Sequence, residues 1–233
     1  MSHLLSLTFV AGIAIAAQTP GIANAAQTPE RIRGTITAVG NDTLSVHTTS
    51  GSDVSVTLTG GTRYLELAPS NLDHVDPGSY IGTATKSIGS QQVALEVVIF
   101  PPSLRGTGEG HYAWDRIPDT TLSGDATTAS SMTNGTIAVA APVGGTQLVN
   151  SAMTNGTVST AGEADGARQI TVTYKGGKQT VLVPPTAPIV RYELGTAAEV
   201  KSGAKVFVNA VRDGNSVTAR SVAVGIDGAT PPM

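Results

Sequence analysis

One plan occurs twice in this chain. Gly34-Thr35-Ile36 is echoed by Gly156-Thr157-Val158, and Leu44-Ser45-Val46 by Ile170-Thr171-Val172. Arg63-Tyr64 returns as Arg191-Tyr192, Val75 and Gly78 as Val200 and Gly203, and Val93 to Phe100 as Val217 to Val224. Lys175-Gly176-Gly177-Lys178 falls where the first copy turns a hairpin. Landmarks in the same order, about 125 residues apart, are the mark of an internal duplication. The alternative is that two Thr/Val-rich β segments look alike by composition.

Each copy reads as β structure. In Thr43 to Thr49, Leu44 and Val46 alternate with Ser45 and His47; in Asp53 to Thr59, Val54, Val56 and Leu58 alternate with Ser55 and Thr57. Period two sends one set to a buried face and the other to solvent. Gly51-Ser52 supplies the turn between them. Gly34 to Val39, Tyr80 to Thr85 and Val93 to Phe100 complete five strands. One short helical piece near Ser70 to Val75 is closed by Pro77-Gly78.

A small antiparallel sheet must hide its edges, and closure into a barrel does so. The expected fold is therefore all-β: two small five-stranded OB-like antiparallel barrels from an internal duplication, a short helix in each, joined by an irregular linker. An open two-layer sandwich is the alternative. The expected divisions are a signal peptide at 1–25, a first barrel at 31–101 and a Trp-bearing linker at 102–132. A second barrel with an inserted hairpin follows at 133–225, then a tail at 226–233.

Leu4 to Ala17 is an uncharged, mostly apolar run followed by Ala23-Asn24-Ala25, a small-x-small cleavage pattern. It is shorter than the ~20 apolar residues of a membrane span. It predicts a secretory signal, although its start carries no Lys or Arg; the alternative is a buried or frayed helix. The expected location is periplasmic or secreted, with no membrane span. The chain has no cysteine, so no disulfide framework is available in an oxidising compartment.

Composition narrows the chemistry. A net charge of −3 argues against a nucleic-acid partner. There is no Gly-x-Ser-x-Gly elbow and no His-Glu-x-x-His, so no catalytic residue is expected and the chain is read as non-enzymatic. Gly106, Gly108 and Gly110 lack the spacing and following helix of a phosphate loop. No metal or other cofactor is assigned.

The densest set of functional side chains is Glu109, His111, Tyr112, Trp114, Asp115 and Arg116. Tyr112 and Trp114 could form a shelf for a ring or sugar, or could anchor the linker while Glu109 and Asp115 cap turns. A metal site at Glu109, His111 and Asp115 is the alternative function; His and carboxylate ligands suit zinc or copper. Next comes a local duplication. Ser131-Met132-Thr133-Asn134-Gly135-Thr136-Ile137 recurs as Ala152-Met153-Thr154-Asn155-Gly156-Thr157-Val158. Each copy reads as a turn feeding a strand, and the two could form a hairpin across Pro142-Val143-Gly144-Gly145.

Gly106 to Asp115, the Met-Thr-Asn-Gly-Thr segments and the tail Val224 to Met233 together resemble a group of exported bacterial proteins of unknown function, mostly proteobacterial. Some of these carry a metal-transporter permease label, which the residues after the leader do not support. Ala113 stands where such proteins commonly have proline, and extra residues occur around Ala138 to Ala152. The resemblance implies a periplasmic or secreted OB-like protein. The resulting expectation is a binding or adaptor protein of the cell envelope, with an envelope protein or glycan as partner.

Overall fold

The computed structural model describes residues 27–124, 126–142 and 167–231. The apolar leader, the second Met-Thr-Asn-Gly-Thr copy and the turn beyond Pro142 lie outside these residues. The fold is all-β. Its strands are β1 (Thr28–Val39), β2 (Thr43–Thr48), β3 (Asp53–Thr57), β4 (Arg63–Pro69), β5 (Tyr80–Ile88), β6 (Gln91–Phe100), β7 (Gly110–Pro118), β8 (Thr127–Pro142), β9 (Arg168–Tyr174), β10 (Gly177–Val183), β11 (Ile189–Leu194), β12 (Lys205–Asp213) and β13 (Ser216–Gly225). Among the described residues no helix is long and apolar enough to cross a membrane.

All thirteen strands belong to one continuous sheet, in the order β10-β9-β8-β5-β6-β11-β4-β13-β12-β1-β2-β3, with β7 on the flank of β8. Two circuits of pairing return to their starting strand. The first runs β1-β2-β3-β13-β12 and back to β1, with β3 parallel to β13. The second runs β8-β9-β10-β6-β5 and back to β8, with β10 parallel to β6. Ring 1 therefore takes three strands from the first half of the chain and two from the second, and ring 2 does the reverse.

This corrects the expectation of two barrels, each closed within its own half at 31–101 and 133–225. The physical reason lies in β4 and β11. After the turn at Thr59–Thr62, β4 leaves β3 and pairs on one side with β13 and on the other with β11. Leu67 lies opposite Tyr192 at this crossing. The chain is thus carried across to the other ring before it can fold back on its own.

The crossing builds a third apolar cluster. Ring 1 encloses Ile36, Leu44, Val46, Val56, Val208 and Val222. Ring 2 encloses Ile81, Val97, Ile137, Ile170, Val172 and Val181. Between the rings, Leu65, Leu67, Val98, Leu104, Met132, Tyr192 and Phe207 pack together. Burial of apolar surface, at ~25 cal/mol per Å², stabilises this junction between the rings.

The short helices are one-turn 3₁₀ pieces, Leu72–His74 and Ala197–Glu199. Asn71 caps the first and Thr196 the second, each accepting a backbone N–H two residues on. Each is followed by a buried valine. Val75 joins the core of ring 2 and Val200 that of ring 1. Gly78 and Gly203 then take matching positive φ values of 88° and 87°.

Three further expectations change. The stretch 102–132 is not an irregular linker; about half of it is β7 and the first part of β8. The first Met-Thr-Asn-Gly copy is not a turn, because Ser131 to Ile137 lies inside β8. Its glycine is needed for close approach. A Cβ on Gly135 would stand 2.2 Å from the carbonyl oxygen of Thr173, as one on Gly34 would stand 2.1 Å from that of His47. Gly34-Thr35-Ile36 therefore has its structural partner in Gly135-Thr136-Ile137. Both Ile36 and Ile137 are followed by a bulge. The Arg63-Tyr64 and Arg191-Tyr192 echo is also not structural, since Tyr64 packs against the ring 1 core while Tyr192 lies in the central cluster.

Candidate functional site

The cluster singled out in the sequence falls on β7 and the turn before it, and its side chains point to separate tasks. Glu109 accepts the backbone N–H of Lys175 at 2.9 Å. His111 pairs through Nδ1 with the Thr133 hydroxyl at 2.9 Å. Tyr112 donates to the Gly108 carbonyl, and Arg116 donates to the Thr127 carbonyl at 2.7 Å. Burial pushes the Tyr112 hydroxyl above its ordinary pKa. Among the described residues no three His, Asp or Glu side chains are grouped to hold a metal ion.

Asp115 and Trp114 do more than brace. Asp115 accepts Arg31 Nη1 at 3.0 Å through one oxygen and Arg33 Nη1 at 2.9 Å through the other. The Arg31 guanidinium also stacks 3.7 Å above the Trp114 ring, a cation–π contact on the outer wall of ring 1. β7 of one ring is thereby tied to β1 of the other. The tie fixes Arg33 with its Nη1 committed, and Arg33 further leans over Phe207 at 5.0 Å.

The other edge of Arg33 has no protein partner. Its Nε and Nη2 are buried and unpaired among the described residues. This edge is the fork that receives carboxylates and phosphates side-on. Beside it lies Glu96 on β6, only 3% exposed, with Oε1 also unpaired. Burial drives the Glu96 carboxyl up to about 8, against a smaller opposing pull from Arg33. At neutral pH the group is mostly protonated and can donate a hydrogen bond. Tyr192, buried nearby, is raised by burial and by Glu96.

Arg33 and Glu96 both line a groove of about 1660 Å³ between the rings. Lys205 and Val206 contribute from ring 1; Arg116, Thr120 and Arg168 contribute from the ring 2 side. Pro185 to Val190 and the tail segment Asp227 to Pro231 complete the walls. Buried polar groups in native proteins are nearly always satisfied. Arg33 and Glu96 are neighbouring exceptions among the described residues; both line the groove, but their unpaired atoms have no surface on it, so a ligand that displaced the side chains over them would complete the hydrogen bonding.

Sequence reasoning missed Arg31, Arg33 and Glu96. Glu96 did leave a signal, as the sole charge in the apolar run Val93-Ala94-Leu95-Glu96-Val97-Val98-Ile99-Phe100. Arg31 and Arg33 alternate with Ile32, so they share the outer face of β1. No protein-family model matches the chain, and no curated protein or solved structure shows significant similarity to it.

Proposed function

We propose that this chain is an exported, non-enzymatic binding protein of the bacterial cell envelope, periplasmic or secreted, that holds its ligand in the groove between the two rings. The observation that carries this reading is that Arg33 and Glu96, two groove-lining residues, keep buried polar atoms without a hydrogen-bond partner among the described residues. The β7 cluster supports the groove: Asp115 and Trp114 hold Arg31 and Arg33 in place, while Glu109, His111, Tyr112 and Arg116 fasten β7 to its neighbours. Export rests on the leader, Leu4 to Ala17 with Ala23-Asn24-Ala25, and on the resemblance to exported bacterial proteins.

The same reading takes each ring as an OB-like module. Four strands, a capped one-turn helix and two further strands recur in each copy, the fourth strand being the one that crosses between the rings. The parallel contact of each ring's third and fifth strands suits that topology. The two copies have exchanged their last two strands within one chain, the intramolecular counterpart of domain swapping.

The test is affinity capture from envelope extract with the purified protein, alongside an Arg33→Lys variant. The expected result is a specific envelope protein or glycan retained by the parent and lost with the variant. Retention of nothing above background, or equal retention by both, removes the reading. Cell fractionation with N-terminal sequencing checks export separately; the expected mature chain begins at Ala26, and an intact cytosolic chain contradicts it.

A further inference from the structure

The groove offers more chemistry than its shape alone. Among the described residues Arg33 keeps two N–H donors without a partner, both covered by neighbouring side chains that a ligand would displace, on a guanidinium whose third nitrogen is locked on Asp115. Glu96 presents a carboxyl with an unpaired oxygen beside that fork. The surrounding walls carry Arg116, Arg168 and Lys205. Arg168 is partly neutralised by Asp73 at 3.2 Å. Arg116 and Lys205 are hydrogen-bonded to a carbonyl and a hydroxyl and make no ion pair among the described residues. Against these stand the groove acids Asp73, Asp227 and Glu96.

We infer that Arg33 and Glu96 together form an anchor for a carboxylate-bearing organic ligand. This deepens the function proposed above and rests on it. In this arrangement the ligand's carboxylate accepts Nε–H and Nη2–H of Arg33 in the bidentate geometry that a guanidinium fork favours. Protonated Glu96 donates its O–H to the same carboxylate. The three donors converge on an anion in a site shielded from water, where such bonds strengthen. The ligand's body then lies along the groove, whose volume exceeds the ~300–1,000 Å³ of ordinary small-molecule pockets. The groups facing Glu96 are Arg33 from β1 and Tyr192 from β11. Arg33 stays charged throughout, and Tyr192 is held protonated by burial. Glu96 is therefore the group whose titration controls the anchor.

The experiment is calorimetric titration of the purified protein with acetate, succinate, galacturonate, galactose and inorganic phosphate. The emission of Trp114, the single tryptophan, serves as a second readout; it reports on Arg33 through Arg31 and Asp115. The expected result is saturable binding of succinate or galacturonate, with galactose and phosphate at least tenfold weaker. Affinity falls about tenfold between pH 6 and pH 9, because the protonated fraction of Glu96 falls by that factor. Glu96→Gln keeps a donor and removes the pH dependence. Arg33→Lys weakens binding at least tenfold. Should that variant unfold through loss of the Asp115 contact, Glu96→Leu at pH 6 stands in, with the same expected loss.

Equal binding of galactose and galacturonate overturns the carboxylate anchor, as does preferred binding of phosphate. Binding of no carboxylate at any pH also overturns it. An envelope partner captured by the parent and lost with Arg33→Lys, while every carboxylate fails, leaves the groove-binding reading standing and removes this inference alone.

Discussion

Glu96 and Ser221 occupy the same place in the two rings, and their contrast isolates what the fold requires. In ring 2, Glu96 pairs with Ala84, and a bulge follows before Ala94 pairs with Thr85. In ring 1, Ser221 pairs with Asn209, and a bulge follows before Ala219 pairs with Ala210. Asn209 donates across the strands to the Ser221 hydroxyl at 3.4 Å. Alanine at the equivalent ring 2 position leaves the Glu96 carboxyl without such a partner. The Ser–Asn pair satisfies itself, whereas the Glu96 carboxyl opposite Ala84 keeps an oxygen without a partner among the described residues. The geometry therefore does not demand a lone acid here; a Ser–Asn pair serves it.

The rings differ again inside. Ring 2 buries Thr83 and Thr85, bonded to the Glu96 carbonyl and to Gln92, where ring 1 has Val208 and Ala210. Ring 2 also carries the added strand β7 and, behind it, Lys86 paired with Asp119 at 2.7 Å. Ring 1 is thus the simpler copy, and ring 2 the elaborated one.

The largest expected effect comes from dividing the chain in the turn before β7, between Thr107 and Gly108. If each ring needs strands from both halves, the two fragments associate one to one when co-expressed. Neither alone is a folded monomer, because each lacks the strands that close its rings. Size-exclusion chromatography with circular dichroism reads this out; two independently folded monomeric fragments would contradict the shared rings.

The next largest effect belongs to Lys86→Met. It leaves Asp119, whose side chain is only 5% exposed, as a buried acid without its cation. The expected loss is about 3–5 kcal/mol in urea unfolding. Burial pushes the Asp119 pKa up, but hydrogen bonds from Lys86 and Thr121 outweigh it and hold the carboxyl below its ordinary value. The pair's stability is therefore complete above the ordinary Asp range and is lost as pH falls below it. A parent and a variant with the same acid sensitivity would remove this assignment.

Much of this architecture was legible in the residues, but not its connectivity. Alternation around Leu44, Val46, Val54 and Val56 announces strands because a buried face has period two. The Val75/Val200 and Gly78/Gly203 landmarks mark the capped turns, since those positions need a buried plug and a positive φ. What alternation cannot encode is which copy a strand pairs with. The strands of the two modules present similar apolar faces, so pairing within a half and exchange between halves satisfy the same pattern. Asn134-Gly135 was misread because Gly serves turns and close strand crossings alike. The candidate site was hidden for a related reason. Glu96 and Arg33 lie about 60 residues apart on strands of different rings, and alternation does not show that the two line one groove.

Gly34→Ala and Gly135→Ala test whether the two first strands are equivalent. Each added Cβ would meet a backbone carbonyl that cannot rotate away. Overpacking of this kind costs about 1–3 kcal/mol, and the two losses should match within error. Gly60→Ala, with nothing within 4 Å of its Cβ position, should leave stability unchanged. Unequal losses at 34 and 135 would mean that the crossings differ despite their shared bulges.

Glu96→Gln is the most informative substitution, because its effect depends on pH. The folded carboxyl titrates at about 8, above the ordinary value of 4.5, because burial penalises its charge. A raised acid favours the folded state while it stays protonated. Its contribution is complete below the ordinary Glu value and is lost as pH rises toward 8. Glutamine has nearly the same shape and no proton to lose. Parent and variant should therefore be equally stable at pH 4. Across the interval the variant should gain stability over the parent, and the gap should level off above pH 8. Thermal unfolding at pH 4, 6, 8 and 9 measures it. Ser221→Ala, at the matching place in ring 1, should show no such slope. If the two variants give parallel pH profiles, Glu96 is as well solvated as a surface acid, and the contrast between the rings disappears.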